Sequence, residues 1–229
     1  MNNPTRKNQE EVYRNLYENH KGTSMAVSSE SQAHKRLRFN EICGIFENEQ
    51  EKFTVHDVGM GLAQLYEFML ANFSDLNWEY SGTEILHEYV TECRNKYPDI
   101  NFYNRDLAVT PGEDYYDYLL LSGVFHQRRE SKIGDWERFS QNILRNAFHM
   151  CKKGISFNFI SPFVDFYQTQ VYYANLPKLL NFIIDDLGRF FVLKHNYALY
   201  EFTVYVYKES YIKGLHPDSE FKKYFKVEE

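Results

Sequence analysis

Residues 53–64, FTVHDVGMGLAQ, combine a short apolar strand, an acid at its end, a turn with two glycines and the opening of a helix. A second apolar strand follows and ends at Glu84 in the sequence YSGTE. This order is typical of a βαβ unit that holds a nucleoside cofactor at the carboxyl ends of parallel strands. Gly59 and Gly61 let the backbone pass close to a ligand, and Glu84 is placed to accept hydrogen bonds from both ribose hydroxyls.

Hydrophobic patterning predicts further strands, separated mostly by helices. The predicted strands are residues 53–57, 78–83, 101–103, 118–122, 154–159, 190–195 and 200–207, and the predicted helices are 63–73, 85–97, 136–151 and 176–187. Strands joined by helical crossovers form a parallel sheet with helices on both faces. Only residues 196–199 separate the last two strands, so these two should form an antiparallel hairpin. We therefore predict an α/β fold with a Rossmann-like, mostly parallel seven-stranded sheet.

The amino-terminal part precedes the first strand and reads as helical. Residues 9–20 and 30–48 have helical periodicity, residues 22–29 form a small-residue break, and Ser29 or Ser31 would cap the second helix. We expect residues 1–50 to form a helical cap within the same domain as residues 51–229. As a lid, this cap would place over the ligand the side chains of Tyr17, Ser31, Gln32, Arg38 and Phe39. The alternative is a pair of helices that only cover a face of the sheet.

Composition narrows the class of partner. The chain has 229 residues and a formal net charge of -6, which offers no general attraction to nucleic acid. Its three cysteines have no metal-ligand or disulfide spacing, and we find no other convincing cluster of metal ligands. The amino terminus lacks the apolar core of a secretory signal, and the longest nearly uncharged apolar run, residues 118–125, is too short for a membrane span. We predict a cytoplasmic protein without membrane contacts, either a monomer or a homodimer.

The spacing after the glycine turn bears on which nucleoside is bound. A dinucleotide fingerprint requires a third glycine at position 64, which is Gln64 here. A large amide at that position would obstruct the close approach of helix and strand that a pyrophosphate site needs. S-adenosylmethionine has no phosphates, and it requires an acid near the turn and an acid at the ribose. This argument favours S-adenosylmethionine and leaves an NAD-dependent oxidoreductase as the alternative.

These residues resemble the motifs of the class I S-adenosylmethionine-dependent methyltransferases. The first motif, acid-x-Gly-x-Gly-x-Gly, is matched by residues 57–63, with Ala63 in place of the third glycine. The resemblance covers about residues 53–207, and the closing antiparallel pair is the family's addition to a Rossmann-like sheet. Matching residue by residue, the resemblance implies cofactor-binding roles for Asp57, Gly59, Met60, Gly61, Glu84, Ile85, Asp106, Leu107, Ser122, Gly123 and Phe125. Among these, Glu84 is the ribose acid and Asp106 faces the adenine amino group.

A narrower resemblance links the chain to small bacterial methyltransferases. It is carried by the phrases TSMAVSSESQAHKRLRF, LSGVF, KKGISFNFIS and KHNYALYEFTVYVYK. No Asn/Asp-Pro-Pro-aromatic motif of amino-methylating DNA enzymes follows the fourth strand. We therefore expect methyl transfer to an oxygen or nitrogen of a small polar metabolite, or of a sugar-like or natural-product intermediate. A non-catalytic module that keeps the cofactor fold is a further alternative.

Two histidines are candidates for a general base. His126 follows the fourth strand, and His195 lies at the end of the sixth, close to Tyr197, which we assign to the acceptor site. Imidazole has the pKa that suits proton transfer near neutral pH, although methyl transfer by proximity alone would need no base. For an acidic acceptor the candidate ligands are four arginines, which could instead be solvated surface residues: Arg36, Arg38, Arg128 and Arg129.

Overall fold

Seven strands form one sheet at the centre of the molecule. The computed structural model describes residues 4–20 and 31–225. The strands are β1 (Phe53–Val58), β2 (Trp78–Glu84), β3 (Asn101–Asn104), β4 (Tyr116–Leu121), β5 (Cys151–Ile160), β6 (Phe191–Lys194) and β7 (Glu201–Tyr207). Their order is β3-β2-β1-β4-β5-β7-β6. β1 to β5 pair in parallel, whereas β7 is antiparallel to both β5 and β6. The Rossmann-like fold with a closing antiparallel hairpin is therefore confirmed.

Helices flank the sheet and connect most of its strands. They are α1 (Pro4–His20), α2 (Gln32–Cys43), α3 (Gln64–Asn72), α4 (His87–Lys96), α5 (Ile133–Met150), α6 (Leu176–Phe182) and α7 (Glu209–Leu215). Short 3-10 helices lie at Gly44–Phe46 and Ser219–Tyr224, and α6 continues as a π-helical turn over Ile183–Leu187. The predicted single helix over 176–187 is thus two segments of different winding. α7 was not predicted.

Side chains alternate between two buried layers along the central strands. Leu119 and Leu121 of β4 pack with the side chains of α5 and α6, whereas Tyr118 and Leu120 pack with those of α2, α3 and α4. Successive residues of a strand point to opposite faces, so helices on both faces require a strand that is apolar throughout. β4 is accordingly buried over almost its whole length.

The amino-terminal cap differs in its bounds from the prediction. Ser31 caps α2, and its Oγ accepts a hydrogen bond from the backbone N–H of His34 at 3.2 Å. The alternative cap, Ser29, and the predicted break at residues 22–29 lie outside the described residues. α2 ends at Cys43, earlier than the predicted residue 48, and its last buried residues lead directly into the 3-10 turn. The division at residue 50 into a cap and a cofactor-binding part stays a prediction.

The parallel part of the sheet, β1 to β5, contains a point at which the direction of its connections reverses. From β1 the chain proceeds outward to β2 and β3, then returns to β4 on the other side of β1 and continues to β5. In open α/β sheets a crevice forms outside the carboxyl ends of the two strands at such a point. The carboxyl ends of β1 and β4 are therefore where a ligand should bind. Among the helices in the described ranges, none combines the length and apolarity that a membrane span needs.

Candidate active site

A cavity of about 340 Å³ lies at the carboxyl ends of β1, β2 and β4. This volume is within the usual range for small-ligand sites. The residues predicted from the sequence that line it are Arg38, Phe39, Asp57, Gly59, Met60, Gly61, Glu84, Ile85, Asp106, Leu107, Ser122, Gly123 and His126. Residues that are distant in sequence thus come together at the switch point.

The turn after β1 has the backbone that the glycine motif predicts. Gly59 and Gly61 have φ angles of 72° and 54°, in the left-handed region that favours glycine. The N–H groups of Gly59 and Met60 both donate to the carbonyl of Thr83, at 2.9 and 3.2 Å, and so fix the turn to β2. A Cβ at Gly59 would lie 2.9 Å from Val124 Cγ2. Ala63, at the third motif position, also has a left-handed φ of 57°, a conformation in which glycine is the favoured residue.

Glu84 is held at the cavity by backbone donors. Its Oε2 accepts from the N–H of Gly61 at 3.1 Å, and its Oε1 accepts from Ile85 and Leu86 at 2.7 and 3.2 Å. Burial raises the pKa of the Glu84 carboxyl, although these three hydrogen bonds oppose the shift. Each carboxylate oxygen can accept two hydrogen bonds, so Oε2 of Glu84 retains capacity for a ribose hydroxyl.

Asp57 is the second acid at the cavity, and it is almost completely buried. Burial raises its pKa to about 7; the hydrogen bond from the Tyr80 hydroxyl to Oδ2, at 2.7 Å, opposes this, and the neighbouring Glu84 adds to it. A carboxyl group in such a place exchanges its proton near neutral pH. A positive charge entering the cavity would favour its ionised form.

Part of the cavity lining is an apolar wall that includes side chains of α5. It consists of Val58, Leu107, Val124, Trp136, Phe139 and Ile143. Asp106 lies at its edge, where Oδ1 accepts from the N–H of Ala108 at 2.9 Å and Oδ2 lies 3.1 Å from Nε of Arg6 in α1. A flat heterocycle fits an apolar wall with one polar group at its rim, which is the environment that the resemblance implies for adenine.

The segment after β4 carries Ser122, Gly123 and His126 into the cavity. Phe125 does not follow them, which corrects its predicted role in cofactor binding. Its side chain is fully buried and stacks on Phe159, with ring centroids 4.8 Å apart. Phe125 and His126 are neighbours in the turn after β4, and their side chains take different directions, with His126 at the cavity and Phe125 in the core.

Glu201 of β7 organises a buried polar network beneath His126. Arg38 of α2 forms a bidentate pair with it, with Nε 2.8 Å from Oε2, and Asn158 Nδ2 donates to the same oxygen at 2.5 Å. Asn158 Oδ1 in turn accepts from the N–H of Gly123 at 2.8 Å. His126 Nε2 lies 3.9 Å from Glu201 Oε2. Burial alone would raise the pKa of Glu201, but His126 and Arg38 hold it below its usual value.

Comparisons with known proteins agree with the fold. No protein-family model matches the chain. A Mycobacterium tuberculosis protein whose name assigns it provisionally to the methyltransferases is 26% identical over 166 residues, covering 71% of this chain and 98% of that protein. Two solved methyltransferases, each bound to S-adenosylhomocysteine, share the fold across most of the chain. The magnesium protoporphyrin IX enzyme of Synechocystis has a TM-score of 0.59 at 13% identity (88% of this chain, 94% of that one). The N-methyltransferase NodS of Bradyrhizobium japonicum has a TM-score of 0.60 at 9% identity, and the match covers 86% of this chain and 97% of that one.

The chain has the fold of the class I S-adenosylmethionine-dependent methyltransferases. Solved methyltransferases of this fold bind S-adenosylmethionine or its demethylated product. A third relative by structure is named a carbon methyltransferase, with a TM-score of 0.57 at 11% identity over 86% of this chain and 58% of that one. Since proteins of one fold act on nitrogen and on carbon, the fold leaves the acceptor atom open.

Several residues that the sequence predicts for the site lie outside the cavity. His195 is exposed at the end of β6, where its ring packs near Phe163 and Phe202, and Tyr197 donates to or accepts from Thr203 Oγ1 at 2.8 Å. Ser31 and Gln32 are exposed at the start of α2. None of these four is among the described residues that line the cavity.

The prediction for α1 was wrong by one helical turn. Tyr17 packs edge-on against Tyr89 and its hydroxyl donates to Glu92 at 2.8 Å, away from the cavity. Gln9, Tyr13 and Leu16 line the cavity instead. Their spacing of four and three residues is that of one helical face, so the periodicity of α1 contained the signal.

Lys35, Arg105 and Arg129 also line the cavity, although sequence reasoning did not assign them to the cofactor site. Lys35 Nζ donates to Gln64 Oε1 at 3.2 Å, beside the glycine turn. Arg105 pairs with Asp114 at 2.7 Å. Among the described residues, no group of three or more His, Cys, Asp or Glu side chains could hold a metal ion.

Proposed function

We propose that this protein transfers a methyl group from S-adenosylmethionine to an oxygen or nitrogen atom of a small polar acceptor. The observation that carries the proposal is the convergence of Glu84, Asp57 and the left-handed glycine turn on one cavity at the switch point of a methyltransferase fold. When bound, S-adenosylmethionine supplies a methyl group that its positive sulfur makes electrophilic.

The residues of the cavity fit this cofactor. Glu84 has acceptor capacity for a ribose hydroxyl, and Gly59 and Gly61 line the cavity without side chains. The ionised form of Asp57 would compensate the positive charge of the cofactor in a buried place. Gln64 lines the cavity at the position where a dinucleotide site needs glycine, which speaks against the oxidoreductase alternative.

His126 is the proposed general base. It lines the cavity beside Ser122 and Gly123, whereas His195 does not reach the lining. In this proposal the imidazole of His126 accepts the proton of the acceptor hydroxyl or amine, and the Glu201 carboxylate, 3.9 Å from Nε2, stabilises the resulting imidazolium. The apolar wall and α1 exclude water from the reacting atoms.

Binding calorimetry with S-adenosylhomocysteine and with NAD tests the cofactor. We expect the former to bind, and Glu84→Gln to weaken its affinity at least tenfold, because hydrogen bonds to a charged group are worth about 1.5–3 kcal/mol each. Glu79→Gln is the matched control, since Glu79 lies on the same strand but is exposed and pairs with Lys52. Binding of NAD and not of S-adenosylhomocysteine would show an oxidoreductase instead.

Turnover separates an enzyme from a binding module. We expect methyl transfer from S-adenosylmethionine to some member of a panel of small hydroxyl and amine acceptors. His126→Gln should lower the rate by about 10²–10⁴ and His195→Gln should leave it nearly unchanged. An unaltered rate in His126→Gln would indicate transfer by proximity without a base. Cofactor binding with no turnover across the panel would favour the non-catalytic module.

A further inference from the structure

The structure separates the four arginines that the sequence offers as ligands for an acidic acceptor. Arg36 is exposed. Arg38 already has a carboxylate partner in Glu201. Arg128 is held by carbonyl oxygens, because NH1 donates to Ser131 at 2.8 Å and NH2 donates to Thr169. Arg129 alone of the four lines the cavity without a carboxylate partner among the described residues.

Arg129 is aimed by an unusual backbone. Its φ of 53° lies in the left-handed region, which a residue with a long side chain adopts only when the surrounding structure requires it. Gln170 imposes the conformation: its carbonyl accepts from the Arg129 N–H at 2.9 Å, and its Oε1 lies 3.3 Å from NH1. The adjoining chain is fixed in the same way, since Tyr172 N–H donates to the carbonyl of His126 at 2.8 Å and Gln127 forms an isolated bridge with Val171.

The Nε of Arg129 is shielded from solvent and has no hydrogen-bond acceptor among the described residues. Removing a charged donor from water without an acceptor is unfavourable, and the left-handed backbone adds a second unfavourable contribution. The unpaired Nε and the left-handed backbone are both unfavourable, and both lie at the wall of a cavity. This combination is expected where a ligand supplies the missing acceptor. A guanidinium group binds carboxylates and phosphates through two parallel hydrogen bonds, so the matching ligand group is an anion.

Two molecules could bring that anion, namely the acceptor and the cofactor with its amino-acid carboxylate. Lys35, beside Gln64 and the glycine turn, is on the side of the cavity next to β1. Arg129 instead follows His126 by three residues, within the segment that backbone hydrogen bonds join to residues 170–172. The molecule that His126 faces is the acceptor in the proposed reaction.

We infer that the methyl acceptor carries an anionic group, a carboxylate or a phosphate, and that Arg129 binds it. Arg129 then selects the acceptor and fixes the acceptor's nucleophilic atom with respect to His126. This inference rests on the proposed function, since it takes the cavity to hold both S-adenosylmethionine and the acceptor.

Aromatic probes test the inference in the full-length protein saturated with S-adenosylhomocysteine. Benzoate and phenyl phosphate represent the two anions, and benzamide is their neutral counterpart. We expect at least one anion to bind at least tenfold more tightly than benzamide, and Arg129→Gln to abolish this preference. Arg129→Gly should also abolish the preference. Glycine adopts the left-handed backbone at this position without strain, so this variant separates loss of binding from loss of the fold. Arg138→Gln is the matched control, because Arg138 is exposed on α5 and outside the cavity.

The cofactor is examined in the same variants by comparing S-adenosylhomocysteine with 5′-methylthioadenosine, which lacks the amino-acid part. An unchanged ratio of the two affinities in Arg129→Gln supports the inference. A tenfold loss for S-adenosylhomocysteine alone would assign Arg129 to the cofactor carboxylate and overturn it, as would equal binding of anions and benzamide to the unsubstituted protein. Failure of the proposed function looks different, because neither adenosine compound would then bind the unsubstituted protein.

Discussion

Two acids at neighbouring strand ends, Asp57 and Glu84, owe their raised pKa values chiefly to burial. They differ in their donors. Glu84 accepts three backbone N–H groups, whereas Asp57 accepts a hydrogen bond from the Tyr80 hydroxyl. Glu84 is therefore fixed in place by the main chain, and Asp57 is the acid whose protonation a charged ligand can change.

At the residue scale, we predict that S-adenosylmethionine binds more tightly as the pH rises through about 7. The pKa of Asp57 is about 7 in the ligand-free protein, and a cationic ligand favours its ionised form, so binding releases a proton below that pH. Affinity should fall by up to about tenfold per pH unit between pH 7 and pH 6. Calorimetry from pH 6 to pH 8 measures it.

The control for this effect is Asp57→Asn, which keeps an acceptor for Tyr80 but does not titrate. Glu84 also has a raised pKa and is unchanged in that variant. The difference between the two pH profiles therefore belongs to Asp57. Identical profiles would contradict the prediction.

At the scale of elements, α2 and β7 are joined by one buried ion pair, Arg38 with Glu201. Their side chains are 7% and 5% exposed, so removing one partner leaves the other charge without compensation in the interior. We predict that Arg38→Met and Glu201→Gln each lower the free energy of unfolding by about 3–5 kcal/mol. The double variant should lose clearly less than the sum of the two, as measured by urea unfolding.

An exposed pair gives the reference for this double-mutant cycle. Arg138 and Asp135 lie on one face of α5 with side chains 72% and 46% exposed, and disrupting them should change stability by at most about 1 kcal/mol. If the losses of the two single variants simply add in the double variant, Arg38 and Glu201 do not stabilise each other. Each would then be stabilised independently, by His126 and Asn158 or by solvent.

The elements were predictable from local pattern to different degrees. β1, β2 and the glycine turn could be predicted because three signals occur together within about thirty residues. These are the apolar strand pattern, the glycines of the turn and the acid at the end of each strand. The hairpin of β6 and β7 followed from the shortness of its connection. α7 was missed because its seven residues bury no side chain and so leave no periodic pattern. The start of β5 at Cys151 was missed because it follows α5 without a turn.

The site was predictable where one segment supplies both backbone and side chain, and not where distant segments meet. Glu201 is an acid within an apolar strand, and nothing in its neighbourhood in sequence indicates Arg38, which is 163 residues away. The orientation of Arg129 depends on Gln170, on a segment that has no regular pattern. Phe125 was misassigned because a motif match locates a segment and does not give the direction of each side chain.

At the scale of the whole molecule, two buried groups on β1 act in opposite directions on acid stability. Burial, with a contribution from Arg105, lowers the pKa of His56 to about 3, and the neutral ring stacks on Tyr116 at 4.2 Å. Unfolding restores a pKa of about 6.5, so the stability that this group confers is complete above pH 6.5 and declines as the pH falls. Asp57 has the reverse effect, because its folded pKa of about 7 exceeds its unfolded value.

We predict that the two effects largely offset each other between pH 5 and pH 6.5. Each group changes the free energy of unfolding by about 1.4 kcal/mol per pH unit. With rising pH the contribution of His56 increases this free energy and that of Asp57 decreases it. Relative to the unsubstituted protein, His56→Gln should gain stability on acidification and Asp57→Asn should lose it, each by about that slope. Urea unfolding at several pH values measures both, and parallel profiles for all three proteins would refute the assignment.

Helix α1 reaches both ends of the cavity. Arg6 pairs with Asp106 at one end, and Gln9 donates to the carbonyl of Gln127 beside His126 at 2.9 Å. A molecule inside is therefore enclosed by a helix that the rest of the fold holds through these polar contacts and through the packing of Tyr17 on Tyr89. Occupancy and helix docking are therefore linked: the free energy that a bound molecule adds to the attachment of α1 equals the free energy that the attached helix adds to the binding of that molecule.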